Sequence, residues 1–418
     1  MALEQLKQEV CRVIDDMKSE LISASHAIHA NPELAFEEKF AADLLTKRLE
    51  SHSLPVDRGA FGLPTAYAST FGKSSGPVIS ILSEYDALPG IGHACGHNII
   101  ATIGLGSALA LSKLGQRLNG QVRYMGTPAE ERGGGKEVMA QNGAFVGVDA
   151  SMMVHPAGFD MSHMPSIALA EVEAIYHGRA AHASAMAFQG LNALDALVTA
   201  YQSIAQLRQH IQQSERIHGI ITEGGLAPNI VPDRASGRFY VRARDGVELA
   251  NLKKRVAACF EAGALATGTR LELKWGQVDC LDLKNNLALA GTYVKNAEQL
   301  GREFMDPDRL PPGLAGSTDM GNVSHRVPSI HPLIAVSPPS VAMHNAEFTA
   351  YANSPAGDKA VLDGAKALAM TALDYFDNAE LRDSAKAEFE KSKDLSMRAV
   401  GSAYHKDGVL LSGGCGCC

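Results

Sequence analysis

Cysteine, histidine and glutamate residues with the character of metal ligands occur at several points in the sequence. Two histidines flank a cysteine in His93-Ala94-Cys95-Gly96-His97, and a pair of adjacent glutamates follows at Glu130 and Glu131. Further histidines stand at His155 and His344. Thiolate, imidazole and carboxylate together suit zinc, or manganese and cobalt where oxygen and nitrogen ligands dominate. These residue types therefore predict a metal site.

The predicted strands place these groups at one edge of a sheet. Buried strands are predicted over Val78–Leu82, Val122–Met125, Ala150–Val154 and Leu333–Val336. The polar groups that follow them in turn are Asp86 with Cys95 and His97, Glu130 with Glu131, His155, and, several residues on, His344. In an open α/β sheet, ligands bind beyond the carboxyl ends of the strands, so these side chains are expected to meet there.

Five candidate ligands are more than one catalytic metal ion needs. A single ion takes three protein ligands and a water, so the five predict two divalent ions sharing one site; these five are Cys95, His97, Glu131, His155 and His344. Such a pair would turn water into a hydroxide nucleophile near neutral pH, which requires a general base. Adjacent glutamates cannot both point the same way, so we assign Glu131 to metal and Glu130 to the base.

Each of these residues also has a purely structural interpretation. Paired glutamates are common on solvated helix faces, and a histidine after an apolar strand could be a satisfied core residue, as at His155. Asp86 could orient a ligand histidine through a hydrogen bond or cap the turn before Pro89. His93 could bind metal in place of Cys95 or lie behind the ligands. A lone thiolate leaves the choice between zinc and manganese open.

The periodicity of apolar residues predicts two domains, one inserted into the other. Strands and helices alternate in residues 1–167 and 282–418, which predicts an α/β catalytic domain with a mostly parallel sheet and flanking helices. Residues 168–281 follow the order β-α-β-β-α-β of a ferredoxin-like α+β module. Long helices are predicted from Glu4 to about His29 and from Ala379 to about Met397.

Composition excludes several classes of protein. The 418 residues are 46% hydrophobic and 20% charged, which is typical of a globular chain, and the net charge of -8 gives no basic field for nucleic acid or anionic lipid. No apolar run approaches the ~20 residues of a membrane span, and no signal peptide is recognisable, so a cytoplasmic location is expected. The seven cysteines, including Cys415, Cys417 and Cys418 in the last four residues, predict no disulfide framework.

Six segments of the sequence resemble those of a known family, in the same order. They are HANPELAFEE from His29, EYDALPGIGHACGHN from Glu84, GTPAEE from Gly126, HGRAAHASAMAFQGLNALDA from His177, APNIVPD from Ala227 and GSTDMGN from Gly316. The chain resembles the dimetal metallopeptidase family M20, in the amidohydrolase branch with hippurate hydrolase, auxin-conjugate amidohydrolases and p-aminobenzoyl-glutamate hydrolase. Asn98 and the STDMGN run are most similar to p-aminobenzoyl-glutamate hydrolase and β-alanyl-lysine dipeptidase.

The resemblance implies roles for individual residues. It implies the same five metal ligands, Glu130 as acid and base, and His93 behind the ligands. It also implies that the inserted module is a lid in which His182 reaches a neighbouring subunit's site and steadies the oxyanion, Asn229 contacts the substrate and Arg242 meets a substrate carboxylate.

The resemblance also implies an activity and an assembly. The implied reaction is hydrolysis of the amide bond of a small N-acyl or N-aroyl amino acid. A dipeptidase acting on β-alanyl dipeptides, or a non-catalytic binding relative, is the alternative. Lid strands that pair edge to edge would form a homodimer.

Overall fold

The computed structural model describes residues 3–309 and 315–411, which form two units. The first unit contains residues 3–165 and 283–396, and the second contains residues 166–282 and 397–411. The division made from the sequence places its borders near 168 and 281 and assigns everything after 281 to the first domain. Cys415, Cys417 and Cys418 lie outside the described residues. Within the described ranges, no helix combines the length and apolar character needed to cross a lipid bilayer.

The strands of the described residues are short, apart from two long ones in the second unit. They are β1 Asp57–Arg58, β2 Tyr67–Gly72, β3 Val78–Ser83, β4 Gln121–Gly126, β5 Ala150–Met152, β6 His155–Ala157, β7 Asp160–Met161, β8 Ala168–His177, β9 Arg216–Glu223, β10 Arg234–Ala243, β11 Arg270–Trp275, β12 Phe304–Met305, β13 Ser329–Ile330 and β14 Leu333–Ala335.

The helices include two of more than twenty residues. They are α1 Leu3–Asp16, α2 Lys18–Ala30, α3 Lys39–Ser51, α4 His97–Ser112, α5 Gly135–Gln141, α6 Ala193–Leu207, α7 Gly246–Thr267, α8 Leu287–Glu298, α9 Met320–Ser324, α10 Ala346–Tyr351, α11 Pro355–Asp377, α12 Ala379–Glu390 and α13 Lys393–Ala403.

The main sheet of the first unit has the strand order β1-β2-β4-β3-β5-β13. The four strands β4, β3, β5 and β13 run parallel, while β1 and β2 form an antiparallel edge. Ile79 and Ile81 of β3 are fully buried, as expected of a parallel strand covered on both faces. Ser83 is in register with Gly126, so β3 and β4 end side by side and deliver the residues after them to the same edge. The predicted α/β fold is confirmed.

A second, smaller sheet of the first unit has the order β12-β7-β14-β6. The predicted strand at Leu333 lies in this sheet, where Leu333 is in parallel register with His155. The neighbour of β5 in the main sheet is β13, which ends at Ile330. Between β13 and β14, Pro332 has no N–H to give to a ladder and takes part through its carbonyl, which accepts the N–H of His155, as the carbonyl of Ile330 accepts that of Met153.

The second unit forms the predicted ferredoxin-like module. Its elements follow the order β8, α6, β9, β10, α7, β11, and its antiparallel sheet has the strand order β11-β8-β10-β9. Phe239 and Phe260, from β10 and α7, pack edge to face in the core with ring centroids 5.1 Å apart. Strand β9 lies at the edge of the sheet and leaves Ile220 65% exposed.

Residues 397–411 return to the second unit after the chain has completed the first. The backbone N–H of Asp279 donates to Ala403, and that of Val409 donates to Trp275. Nζ of Lys253 on α7 lies 2.9 Å from Nε2 of His405 and 2.6 Å from a carboxylate oxygen of Asp279. These contacts attach the segment to the sheet and to α7.

Two predicted helices are each divided in the structure. The first breaks at Met17 (φ -90°, ψ 6°), although Met17 N–H still donates to Val13 and Leu21 N–H to Met17. Because the helical hydrogen bonds continue past Met17, the spacing of the apolar residues continues as well, and the sequence therefore gives no sign of the break between α1 and α2. The second is divided into α12 and α13, with Lys391 and Ser392 between them.

Candidate metal centre

The loop that carries Cys95 is held against the core by glycine and by a buried helix. Gly96 has φ +77°, and a Cβ atom there would lie 2.5 Å from Cγ of Pro156, so no other residue fits. Helix α4 begins at His97 and is buried along its length as far as Leu111. The cysteine and the first helical histidine are therefore presented by a rigid segment.

The structure brings the five predicted ligands together. Three groups have donor atoms that all lie within 4.8 Å of one another, namely Cys95 with His97 and His155, Cys95 with Glu131 and His344, and Glu84 with His97 and Glu130. Sγ of Cys95 is 3.4 Å from Nε2 of His155. Nε2 of His344 is 3.7 Å from Oε1 of Glu131. These distances leave room for ions between the donor atoms.

Two residues beside the cluster have left-handed backbone conformations that non-glycine residues rarely adopt. His344 has φ +64°, and Ala129, just before the glutamate pair, has φ +61°. The His344 N–H donates to the carbonyl of Ala94 at 2.9 Å, which ties its loop to the loop of Cys95. Strained conformations of this kind persist where the surroundings hold a functional group in place.

Asp86 contacts the side chain of one predicted ligand, His97, and the backbone of another, Glu131. Its Oδ1 lies 3.0 Å from Nδ1 of His97, and its Oδ2 accepts the backbone N–H of Glu131 at 2.9 Å. His93 is buried outside the three donor groups, with its ring stacked near that of His29. Burial, followed by the nearby His97, lowers the pKa of His93 to about 3.

A buried ion-pair triad beside the cluster was not predicted from the sequence. Nζ of Lys136 contacts carboxylate oxygens of both Glu84 and Asp319, and the Lys136 N–H donates to Asp319 at 2.9 Å. All three side chains are fully buried. Burial alone would lower the pKa of Lys136, but Asp319 and then Glu84 raise it above its usual value. The three residues are far apart in the sequence, so no local pattern announces them.

The three donor groups and the neighbouring triad contain more buried carboxylates than buried lysine side chains to balance them. Burial, then Glu84 and Glu131, raises the pKa of Glu130 well above its usual value. Burial, then Cys95, raises the pKa of Glu131 to about 8, against the opposing effect of His97. Nε2 of His97 and Oε2 of Glu84 are buried and have no hydrogen-bond partner among the described residues. Divalent cations would satisfy both the charge and the donor atoms, so the residues present fit metal ions.

A cavity of about 510 Å³ opens next to the cluster within the first unit. Glu130, His155 and His344 lie in its wall, together with His331, which was not predicted as a site residue. Most of the remaining lining is apolar, and includes Phe159, Met164, Leu333, Val341 and Met343. A partly apolar cavity with a few polar groups at one end is typical of a small-molecule site.

The three predicted residues of the inserted module lie in the second unit. His182 and Asn229 are exposed neighbours, because His182 bridges to Ile230 and the Ala183 N–H donates to the carbonyl of Asn229. Arg242 is half-buried on β10, where its Nε donates to Nε2 of His218 at 3.3 Å. His182 and Asn229 therefore share one surface, and Arg242 belongs to the sheet.

The fold and the cluster of sulfur, nitrogen and oxygen donors define a metal-dependent hydrolase. The model of Peptidase family M20/M25/M40 matches residues 81–374. The chain belongs to this family and is a metal-binding amidohydrolase or peptidase that hydrolyses C–N amide bonds. The family resemblance noted in the sequence is confirmed.

Individual relatives match over most of their length. Xaa-Arg dipeptidase of Mus musculus is 39% identical over 401 residues, which cover 93% of each chain. One of the subunits of the p-aminobenzoyl-glutamate hydrolase of Escherichia coli (strain K12) is 28% identical over 93% of this chain and 96% of its own.

Solved structures share the fold at lower identity. The aminobenzoyl-glutamate utilization protein from Klebsiella pneumoniae has a TM-score of 0.70 at 19% identity, over 86% of this chain and 97% of its own. A dinuclear metal binding peptidase of the M20 family from Bacillus subtilis has a TM-score of 0.63 at 21% identity, over 86% and 98%.

Proposed function

We propose that the chain holds two divalent ions, zinc or manganese, and uses them to hydrolyse the amide bond of a small N-acyl or N-aroyl amino acid. The proposed ligands are Cys95, His97, Glu131, His155 and His344. When bound, such ions polarise the substrate carbonyl and supply a nucleophilic hydroxide near neutral pH. Support comes from the five donor side chains, which lie together beside a cavity.

The position of Glu130 in the cavity wall supports its assignment as the general base, although both Glu130 and Glu131 lie within 4 Å of Nε2 of His97. Oε1 of Glu131 faces Nε2 of His344 at 3.7 Å, whereas Glu130 lies in the wall of the cavity. Of the two glutamates, Glu130 is the one that lines the cavity, where a substrate would bind. We assign it to take the proton of the attacking water and to return it to the leaving amine.

A dipeptide is the second candidate substrate. The mouse relative that is 39% identical carries the name Xaa-Arg dipeptidase, which favours a dipeptide with a basic C-terminal residue. The alternative that the sequence suggested, a β-alanyl dipeptide, belongs to the same class. The apolar lining of the cavity suits an uncharged acyl group or N-terminal side chain in either case.

The inserted module suits a homodimer. Among the described residues, strand β9 is the edge of the sheet in the second unit and exposes Ile220 and Ile221, so a second copy could pair with it. In that assembly we assign His182 to the partner's oxyanion and Asn229 and Arg242 to substrate contacts. Sedimentation would test the dimer, and fractionation of cells would test the proposed cytoplasmic location.

A metal-reconstituted activity screen tests the function. The protein is stripped with a chelator, reloaded with zinc or manganese, and measured for metal content and for amide hydrolysis. The panel contains hippurate-like acyl amino acids, p-aminobenzoyl-glutamate, β-alanyl dipeptides and dipeptides ending in arginine. Hydrolysis that requires the ions, at about two per chain, supports the proposal. Inactivity on the whole panel with both ions bound contradicts it and favours a binding protein.

A further inference from the structure

His331 combines complete burial with two uncommitted ring nitrogens. Its side chain is fully buried, and neither nitrogen has a hydrogen-bond partner among the described residues. The residue stands between β13 and β14, where the chain crosses from the main sheet to the small sheet.

An unsatisfied buried imidazole is costly unless something else binds to it. Leaving a buried polar group without a partner costs about 1–3 kcal/mol, and most buried polar side chains in proteins are hydrogen-bonded. A neutral imidazole offers one N–H donor and one acceptor. His331 lies in the wall of the cavity, and because its nitrogens are shielded in this structure, a bound molecule reaches them once a neighbouring lining side chain moves aside. Its nitrogens thus have a natural partner in a bound ligand.

His331 is placed beside the metal ligands but outside the donor groups. Its ring meets that of His155 edge to face, with centroids 5.3 Å apart, yet it belongs to none of the three donor groups found among the described residues. Phe159, Leu333 and Met343 supply an apolar lining to the same cavity. The imidazole of His331 is therefore a hydrogen-bonding group in a mainly apolar cavity wall.

We propose that His331 is a specificity-determining residue that hydrogen-bonds a heteroatom on the uncharged, largely apolar substrate group occupying the cavity. The proposal rests on the proposed function for the identity of the site, and it adds a positioning contact made by the protein alone. It predicts a preference for acyl or aroyl groups that carry an oxygen or nitrogen within reach of the ring over analogues that carry hydrogen there. One net hydrogen bond corresponds to a preference of about tenfold.

The test uses His331→Phe, which keeps a planar ring against His155 and removes both nitrogens, and His331→Gln, which restores a donor and an acceptor. His325→Phe is the matched control, because His325 is buried in the same unit but does not line the cavity. For the best substrate of the activity screen, His331→Phe is expected to raise KM about tenfold with kcat within about threefold, and His331→Gln to recover part of the loss. Metal content and melting temperature should match the wild type.

Three outcomes overturn the proposal. They are an unchanged KM in His331→Phe, an equal effect in His325→Phe, and a loss of metal in His331→Phe, which would make the residue a support for the metal ligands. If the wild type hydrolyses nothing although both ions are bound, the proposed function fails separately. Calorimetry with p-aminobenzoyl-glutamate and benzoyl-glutamate then decides the inference. A preference for the amino compound that His331→Phe abolishes supports it, and any other result overturns it.

Discussion

Oδ1 of Asp86 lies 3.0 Å from Nδ1 of His97, on the side of the imidazole opposite the nitrogen that faces the other donor atoms. A carboxylate in this position fixes the tautomer of a metal-binding histidine and raises its basicity. The second oxygen of Asp86 holds the backbone of Glu131, so one side chain positions two proposed ligands.

Replacing Asp86 with Asn should weaken metal binding without removing any ligand. We expect the affinity for zinc or manganese to fall by about 10- to 100-fold, measured by competition with a chelator. Asp57→Asn, at an exposed carboxylate on β1, is the control and should leave affinity unchanged. Wild-type affinity in the Asp86 variant would show that this hydrogen bond does not support the ligands.

Replacing Glu130 with Gln should separate catalysis from metal binding. The amide keeps the size of the side chain but cannot accept and return a proton, so turnover should fall by on the order of a hundredfold or more. Elemental analysis should still find the wild-type amount of metal. An unchanged rate would remove Glu130 from the role of base.

Replacing Cys95 with Ala should release metal. Cys95 belongs to two of the three donor groups, so its loss affects both proposed ion positions. Elemental analysis after dialysis gives the result directly. Cys280→Ala is the matched control, since Cys280 is a buried free cysteine of the second unit. Full occupancy in the Cys95 variant would count against the thiolate as a ligand.

Replacing Lys136 with Met should destabilise the first unit strongly. The variant leaves the buried carboxylates of Glu84 and Asp319 without their cation, which costs about 3–5 kcal/mol in free energy of unfolding. Denaturant unfolding of the metal-free protein measures this. Adding Asp319→Asn to the variant should recover part of the loss. A stability equal to that of the wild type would mean that the triad is not a unit.

Glu38 should make stability depend on pH. Burial, then the charge of Asp86, raises the pKa of Glu38 to about 8, while its side chain accepts hydrogen bonds from the N–H groups of Phe36 and Ala129 and from Thr65. The folded protein then binds this proton more tightly than the unfolded chain, so the contribution is complete below pH 4.5 and is lost as pH rises toward 8.

The variant Glu38→Gln isolates this effect because it imitates the protonated acid at every pH. Its free energy of unfolding should match the wild type near pH 4.5 and exceed it increasingly up to pH 8, by a few kcal/mol at most. Urea unfolding at a series of pH values gives the difference. A difference that stays constant with pH would contradict the raised pKa of Glu38.

The alternation of strands and helices was sufficient to predict the fold class and the meeting place of the loops that carry the proposed ligands. Cys95 and His97 share one short motif, and His155, expected directly after a strand, instead begins β6 shortly after β5 ends, so local sequence was enough to propose them as ligands. Glu84, Lys136 and His331 escaped prediction because their roles depend on contacts across the fold. A buried lysine is recognisable only when its two carboxylates are seen beside it, and His331 only when the cavity is seen.

The return of residues 397–411 to the second unit has a consequence for biosynthesis. Strand β11 and helix α7 emerge from the ribosome more than a hundred residues before the segment whose backbone bonds to Asp279 and Trp275. The surface around Trp275 and Asp279 that residues 397–411 cover is therefore exposed while the rest of the first unit is translated. A nascent chain stalled before residue 397 should be more readily cleaved by protease near Trp275 than the completed protein.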